Sequence, residues 1–377
     1  MSREDLRTIL FSSTETFGGH EKMLLTHIAA AKQSLPHLRF VLILNSRNRR
    51  FAEAVESLEL TDVINLVTQD LPRLRIFRPL SIPAIMLKLA RLRKQGFPKR
   101  LVLVQGNPDV ALSGAVAAKL SGFHLTSYLP MPHKLSITGG KLPSLRDPIT
   151  ERAIFPLIDD FIVISEQMKH LLHSRNVSNA RISVVENSII TKLGDPASPP
   201  TSKKMEEVRL LLPGRIQFKQ KGHDFLLEEL RLANSKGIRV TCDVVGDGPD
   251  MERLRNTIDA YNLSNNVILH GWQQDIAPFF ATSDAVILPS RYEGVPLVML
   301  EAMLSAKVIL TSNIQEFADY IPPEWSFDTN QPGSLVKLLQ SLNFEEETNK
   351  AHKLMAHMKT RTSPNRLGGL FVNKIAS

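Results

Sequence analysis

The sequence predicts an α/β protein made of two doubly wound parallel-sheet domains. Three observations carry this. Short runs rich in Val, Ile and Leu alternate with amphipathic stretches along most of the 377 residues, the pattern of buried parallel strands covered by helices on both faces. The length suits two domains of roughly 150–200 residues each. The alternation also breaks once, at TKLGDPASPPTSKKMEE (191–207), which is rich in Pro, Ser, Thr and Lys, lacks apolar periodicity and reads as an interdomain linker.

In the first half, strands are predicted at RTILFSS (7–13), RFVLILNS (39–46), RLVLVQGN (100–107), HLTSYLP (124–130), DDFIVIS (159–165) and RISVVEN (181–187). Helical patterns lie between them at EKMLLTHIAAAKQ (21–33), FAEAVESLEL (51–60), DVALSGAVAAKLSG (109–122) and EQMKHLLHS (166–174). A second series follows the linker. Its strands are VRLLLPG (208–214), RVTCDVVGDG (239–248), NVILHGW (266–272), DAVILPS (284–290) and KVILTSN (307–313), and its helices include GHDFLLEELRLANSKG and VPLVMLEAMLSA. The predicted domains are therefore 1–190 and 208–355, joined by 191–207 and followed by a C-terminal segment, 356–377.

Apolar residues make up 43% and charged residues 22%, enough apolar material for two ordinary cores. The one cysteine, Cys242, excludes an internal disulfide framework, and its apolar neighbours mark it as a core side chain. The opening MSREDLRTILF carries charge where the apolar core of a secretion signal would start. Apolar runs such as FVLIL (40–44) fall far short of the ~20 residues a membrane-spanning helix needs. A cytoplasmic protein is expected.

The net charge is +8, and its distribution says more than its size. Between Asp70 and Asp109 there is no acidic residue, while Arg73, Arg75, Arg78, Lys88, Arg91, Arg93, Lys94, Lys99 and Arg100 all fall there. Within this stretch Ile85, Met86, Leu89 and Leu92 recur at helical spacing. A basic amphipathic segment of this kind reads as a contact with an anionic membrane surface through residues 73–100, on the inner face of the cell membrane. The plainer reading is a solvated basic helix face. Neither helix-turn-helix, zinc-ligand nor aromatic ribonucleoprotein patterns are present, so nucleic acid is not an expected partner.

In doubly wound sheets ligands bind beyond the carboxyl ends of the strands. Arg215 follows one such end, in LPGRIQFKQKG, and Lys221 stands where the next helix is expected to open. Two cations beside free helix N–H groups suit a diphosphate, although two solvated surface cations would look the same. No phosphate-loop GxxxxGK[ST] and no dinucleotide GxGxxG is present, and GDGPDM (246–251) reads only as a tight turn. RYEGVPLVMLEAM (291–303) places Glu293 after a strand and Glu301 eight residues later in an otherwise apolar helix. Gly294 permits close backbone approach, Pro296 suits a helix start, and the amides of Gly294 and Val295 would be free donors. A carboxylate on so apolar a helix needs a partner. Ribose hydroxyls would serve for Glu301 and a second polyol for Glu293; a structural ion pair of Glu301 with Arg215 or Lys221 is the alternative.

EGVPLVMLEAM resembles the E-x7-E signature of the retaining glycosyltransferases of family 4, which have the GT-B fold. FGGHEKMLL (17–25), DDFIVISEQMK (159–169), ISVVENSI (182–189), GRIQFKQKG and VVGDGPDMERL resemble further elements of that family in order, over nearly the whole chain. The resemblance implies a GT-B fold, two doubly wound Rossmann-like domains facing across a cleft, with the C-terminal segment returning to the first. It implies that Arg215 and Lys221 bind the nucleotide diphosphate and Glu301 the ribose. Glu293, with the backbone of Gly294, Val295 and Pro296, would hold the transferred sugar, Gly18 and Gly19 would close on the phosphates, and residues 271–274 would meet the base. His133, in YLPMPHKLS, matches the family's histidine after the fifth strand, with shifted spacing; a surface-loop histidine is the alternative. The chain departs from the family at Asn187-Ser188-Ile189-Ile190, where no aspartate follows. The long loop 134–148 would shape the acceptor side.

The implied activity is a metal-independent, retaining transfer of a sugar from a nucleotide sugar to a hydroxyl of a lipid-linked or cell-surface glycan, with no cofactor. A nucleotide-sugar epimerase of the same fold, or a non-catalytic nucleotide-sugar-binding protein, would share much of this sequence pattern.

Overall fold

The computed structural model describes residues 6–376 except 36, 109, 141 and 190–206. The expected linker thus lies, but for Glu207, outside the described residues. The chain divides into two compact units, Met1–Ile190 with Thr362–Ser377, and Thr191–Arg361.

The first unit holds a parallel sheet of β1 (Arg7–Ser12), β2 (Arg39–Asn45), β3 (Ile64–Gln69), β4 (Arg100–Val104), β5 (His124–Tyr128), β6 (Asp160–Val163) and β7 (Ile182–Val184), in the order β3-β2-β1-β4-β5-β6-β7. The second unit holds β8 (Val208–Pro213), β9 (Val240–Val245), β10 (Val267–Gly271), β11 (Ala285–Leu288), β12 (Val308–Ser312) and β13 (Ser326–Phe327), in the order β10-β9-β8-β11-β12-β13. Every strand pair is parallel. Each sheet therefore reverses its winding once, between β1 and β4 and between β8 and β11. Those are the topological switch points where loops part and leave room for a ligand.

The strands predicted from apolar runs form where expected. Two escape the pattern. β3, INLVTQ, is an edge strand with half-exposed positions and carries too many polar residues to read as apolar. β13 has only two residues.

The helix Ile82–Lys94 does form, with Ile85, Leu89 and Leu92 buried and packed toward the helix Leu112–Leu120. The apolar stripe that suggested a lipid-facing side is thus part of the core of its own unit. Arg91, Arg93 and Lys94 stand on its exposed side. Among the described residues no helix is long and apolar enough to cross a membrane.

The C-terminal helix, Pro364–Ala376, packs against the helix Gly19–Lys32 within the first unit. His27 stacks on Phe371 at 4.9 Å between ring centroids, and Tyr128 meets the same ring edge-on at 5.3 Å. His27 is fully buried and neither ring nitrogen has a hydrogen-bond partner, so burial pushes its pKa down to about 3. The unfolded chain protonates this imidazole near its ordinary value of 6.5, while the folded one resists until far lower pH. Its titration therefore leaves stability unchanged above pH 6.5 and destabilises the fold progressively as pH falls toward 3, on the order of 5 kcal/mol in all. His27→Phe is expected to flatten the loss of melting temperature of the first unit between about pH 6.5 and 4.5; an unchanged acid slope would contradict this.

Candidate active site

The second unit concentrates the expected site residues at the carboxyl edge of its sheet, where β8 and β11 lie side by side. β8 runs out at Pro213 into Gly214 and Arg215, and β11 runs out at Leu288 into Pro289–Glu293. The turn after β8 is backbone packed on backbone. The Gly214 N–H donates to Val245 O at 2.9 Å, the Ile216 N–H to Asp247 O at 3.0 Å, and the Phe218 N–H to the Asp250 carboxylate at 2.8 Å. A Cβ at Gly246, which has φ +152°, would lie 1.8 Å from Gly214 O. Its glycine is thus needed for close approach, more than the tight turn that the sequence suggested.

Lys221 does not open the long helix as expected. It closes a one-turn helix, Phe218–Lys221, and the long helix starts at His223. Gly222 serves both, in the left-handed conformation at φ +65°. This places the Lys221 side chain over the strand-end loop, where its ammonium pairs with Glu293. Ser290 Oγ donates to the same Glu293 oxygen at 2.9 Å, and Gln220 Nε2 lies 3.5 Å from the other. Glu293 is buried and Lys221 nearly so. Arg215, at the same strand edge, is exposed and forms no ion pair among the described residues.

The loop is clamped from its other side. Arg291 N–H donates to Gln220 O at 2.8 Å, while its guanidinium donates to Phe218 O at 2.7 Å and makes a two-pronged pair with Asp224 at 3.0 and 2.8 Å. The carbonyl of Ser290 accepts from Ser312 Oγ on β12. These contacts fix the backbone on either side of the Lys221–Glu293 pair. Gly294 and Val295 are buried, Pro296 caps the helix Leu297–Leu304 from outside rather than entering it, and Glu301 is buried in the helix's second turn. The alternative partner proposed for Lys221, Glu301, is displaced by Glu293.

The first unit carries the other expected residues. Gly18 caps the helix Gly19–Lys32 after β1, and Glu21 shapes that loop. Glu21 is fully buried, accepts from the Gly18 N–H at 2.8 Å and Thr14 Oγ1 at 2.6 Å, and lies 2.9 Å from His20 Nε2. Burial alone would raise its pKa; His20, Thr14 and the Gly18 amide outweigh that and hold the carboxyl below the usual range. His133, after β5, is buried rather than a surface histidine. Arg175 donates to Pro132 O at 2.6 Å and draws the loop inward. Much of 134–148 is short helix, tied down by the Asp147 carboxylate on the amides of Leu135 (2.8 Å) and Ser136 (3.2 Å).

Gln220, Asp224 and Glu21 were not singled out from sequence. Ser290 and Arg291 were legible as strand-end residues, but their partners lie up to 73 residues away and nothing local announces them. Among the described residues no group of His, Cys, Asp and Glu gathers as metal ligands do.

The strand order of each sheet is that of the doubly wound α/β class, and comparison narrows it. Residues 207–343 match the family described as Glycosyl transferases group 1. The lipopolysaccharide 1,6-galactosyltransferase of Escherichia coli (strain K12) is 27% identical over 191 residues, 49% of this chain and 52% of that protein. The chain spans about half the length, or less, of the first curated relatives it matches. The crystal structure of Anabaena HepE in complex with UDP and glucose superposes with a TM-score of 0.77 at 15% identity, covering 98% of this chain and 99% of that one. The apo form of the lipopolysaccharide outer core galactosyltransferase WaaB gives 0.68 at 19%, covering 97% and 99%. The fold is GT-B.

Proposed function

We propose that the chain is a retaining glycosyltransferase of family 4 that moves a sugar from a nucleoside diphosphate sugar to a hydroxyl of a lipid-linked or cell-surface glycan, without a metal ion. One observation carries this reading. A buried carboxylate and a nearly buried ammonium, Glu293 and Lys221, meet beside exposed Arg215 at the switch point of the second sheet, inside the stretch that matches the glycosyl transferase family.

The chemistry follows from charge. As the bond from the anomeric carbon to the diphosphate oxygen breaks, negative charge grows on the diphosphate, and Arg215 and Lys221 stabilise it in the role a divalent cation plays elsewhere. Positive charge grows at the anomeric carbon, and Glu293 stabilises that side. The acceptor oxygen bonds the anomeric carbon on the face the diphosphate leaves, and its proton passes to the departing phosphate oxygen. Glu301 holds the ribose, with Gly294, Val295 and Pro296 forming the backbone rim. Gly18, Gly19 and His133 are the residues proposed to act from the first unit. The word lipopolysaccharide in the names of two relatives supports a glycan acceptor here; the reaction is proposed to take place at the cytoplasmic face of a membrane.

A thermal-shift screen of nucleoside diphosphates and their sugars tests this, beginning with UDP because HepE binds it. A ligand at 100 times its Kd adds about 2.7 kcal/mol to apparent stability. The expected result is a clear rise with one base and turnover that survives a chelator. No response to any nucleoside diphosphate would overturn the reading, and sugar isomerised without acceptor would mark an epimerase instead.

A further inference from the structure

With the apolar stripe of the helix Ile82–Lys94 turned into the core, the stretch still leaves large apolar side chains in water. Leu74, Phe77, Leu80 and Leu87 are 50–75% exposed. Single exposed apolar residues need no explanation, but four within fourteen positions, in a stretch with no anion from 71 to 108, call for a partner. On the helix, Leu87, Arg91 and Lys94 fall at i, i+4 and i+7, one stripe opposite the buried Ile85, Leu89 and Leu92. Apolar side chains thus sit next to cations on long flexible stems, the arrangement that inserts into a bilayer interface while its charges reach headgroups.

The topology sets this surface at a definite place in its unit. In a parallel sheet all carboxyl ends share one edge. Leu74, Phe77 and Leu80 follow β3 at that edge, just as the glycine loop with Gly18 and Gly19 follows β1, while the helix with Leu87, Arg91 and Lys94 runs from it down the flank of the unit to Gln95, whose carbonyl accepts from Arg7 at the start of β1. Two contacts tie them together: Arg78 reaches Glu15 at 3.2 Å, and Arg47 bridges Glu15 at 2.8 Å and Leu71 O at 2.7 Å. The nearest carboxylate is therefore already paired, and its pKa is held low, first by the Arg47 hydrogen bond. A second exposed apolar pair, Leu142 and Leu145, lies on the segment that follows β5 at the same edge.

We propose that the crest formed by Leu74, Phe77, Leu80 and Leu87, with Arg73, Arg91 and Lys94, inserts into the surface of an anionic phospholipid bilayer. It would lay on the membrane the flank of the first unit that runs from the carboxyl edge of its sheet down the helix Ile82–Lys94. Charge complementarity selects the partner: the surface has cations and no free anion, and an anionic bilayer offers both negative headgroups and an apolar layer. The inference concerns the first unit and stands apart from the donor site in the second. Where the acceptor is lipid-linked, it also explains how such an acceptor is met.

The test is co-sedimentation of the full chain with vesicles of phosphatidylcholine alone or with one-third phosphatidylglycerol, at low and high salt. Wild type is expected on the anionic vesicles only, with part of the binding surviving high salt. The variant Leu74→Ser/Phe77→Ser/Leu80→Ser should bind at least about 10-fold more weakly and lose the salt-resistant part. Arg73→Glu/Arg91→Glu/Lys94→Glu should bind on the order of 100-fold more weakly. All the altered side chains are exposed, so unfolding curves and nucleoside diphosphate thermal shifts should match wild type; those shifts also report on the donor site independently. Failure of wild type to bind anionic vesicles, or serine substitutions without effect at either salt, would overturn the proposal. So would a dimer in sedimentation velocity that the serine variant abolishes, which would make the crest an interface between copies.

Discussion

Lys221→Ala is expected to lower kcat/KM for the nucleoside diphosphate sugar about 10³-fold, roughly 4 kcal/mol of transition-state stabilisation. Two effects combine. The ammonium proposed to face the departing diphosphate is gone, and Glu293 remains buried with Ser290 and Gln220 as partners. Removing one member of a largely buried pair costs about 3 kcal/mol of stability, so the variant should also melt earlier. Glu293→Gln separates the two. It keeps the side-chain shape and removes the charge, so kcat should fall about 10²- to 10³-fold while nucleoside diphosphate affinity changes little. The double variant should lose far less than the product of the single losses, because the residues act as one unit. Steady-state kinetics on the three variants read this directly; strictly multiplicative losses would mean that the pairing seen between Lys221 and Glu293 is not used in turnover.

Gly222→Ala should destabilise the second unit by roughly 2–5 kcal/mol, combining the left-handed backbone penalty with a steric clash. Gly222 has φ +65°, and a Cβ there would lie 2.0 Å from the carbonyl oxygen of Pro289. Neither backbone can yield cheaply. Gly222 joins the Phe218–Lys221 turn to the helix His223–Ser235, and Pro289 leads into Ser290 and Glu293. The clash would therefore push apart the two segments that bring Lys221 to Glu293, and activity should fall with stability. Gly237→Ala is the control: it has φ +71° and open space around its Cβ, so it should cost only the conformational penalty, about 1 kcal/mol. Urea unfolding of both variants measures the difference, and equal losses would remove the packing explanation.

Much of the architecture was legible because buried parallel strands need long Val, Ile and Leu runs, as in FVLIL and AVIL. β3 was not, since an edge strand tolerates the Asn, Thr and Gln of INLVTQ. The helix Ile82–Lys94 shows a subtler limit. Its periodicity gave the right face and the wrong destination, because spacing reports which side is apolar and not whether protein or lipid covers it. The crest proposed to meet a membrane rests instead on Leu74, Phe77 and Leu80, whose exposure no local pattern reveals. At the site, Arg215 and Glu293 stood out as strand-end charges and Lys221 as a cation where the next helix was expected to open. The pairing of Lys221 with Glu293, the clamp of Arg291 on Asp224, and the double role of Gly222 arise only when segments some 70 residues apart meet.

The most direct test of the donor site is calorimetric titration of a nucleoside diphosphate into wild type, Arg215→Ala and Lys221→Ala at fixed ionic strength. If these two cations cradle the diphosphate, each substitution should weaken binding at least about 10-fold, about 1.4 kcal/mol, while Arg231→Ala, on the exposed side of the helix His223–Ser235, leaves it unchanged. Affinities for Arg215→Ala and Lys221→Ala equal to that of wild type would place the diphosphate elsewhere and contradict the site described here.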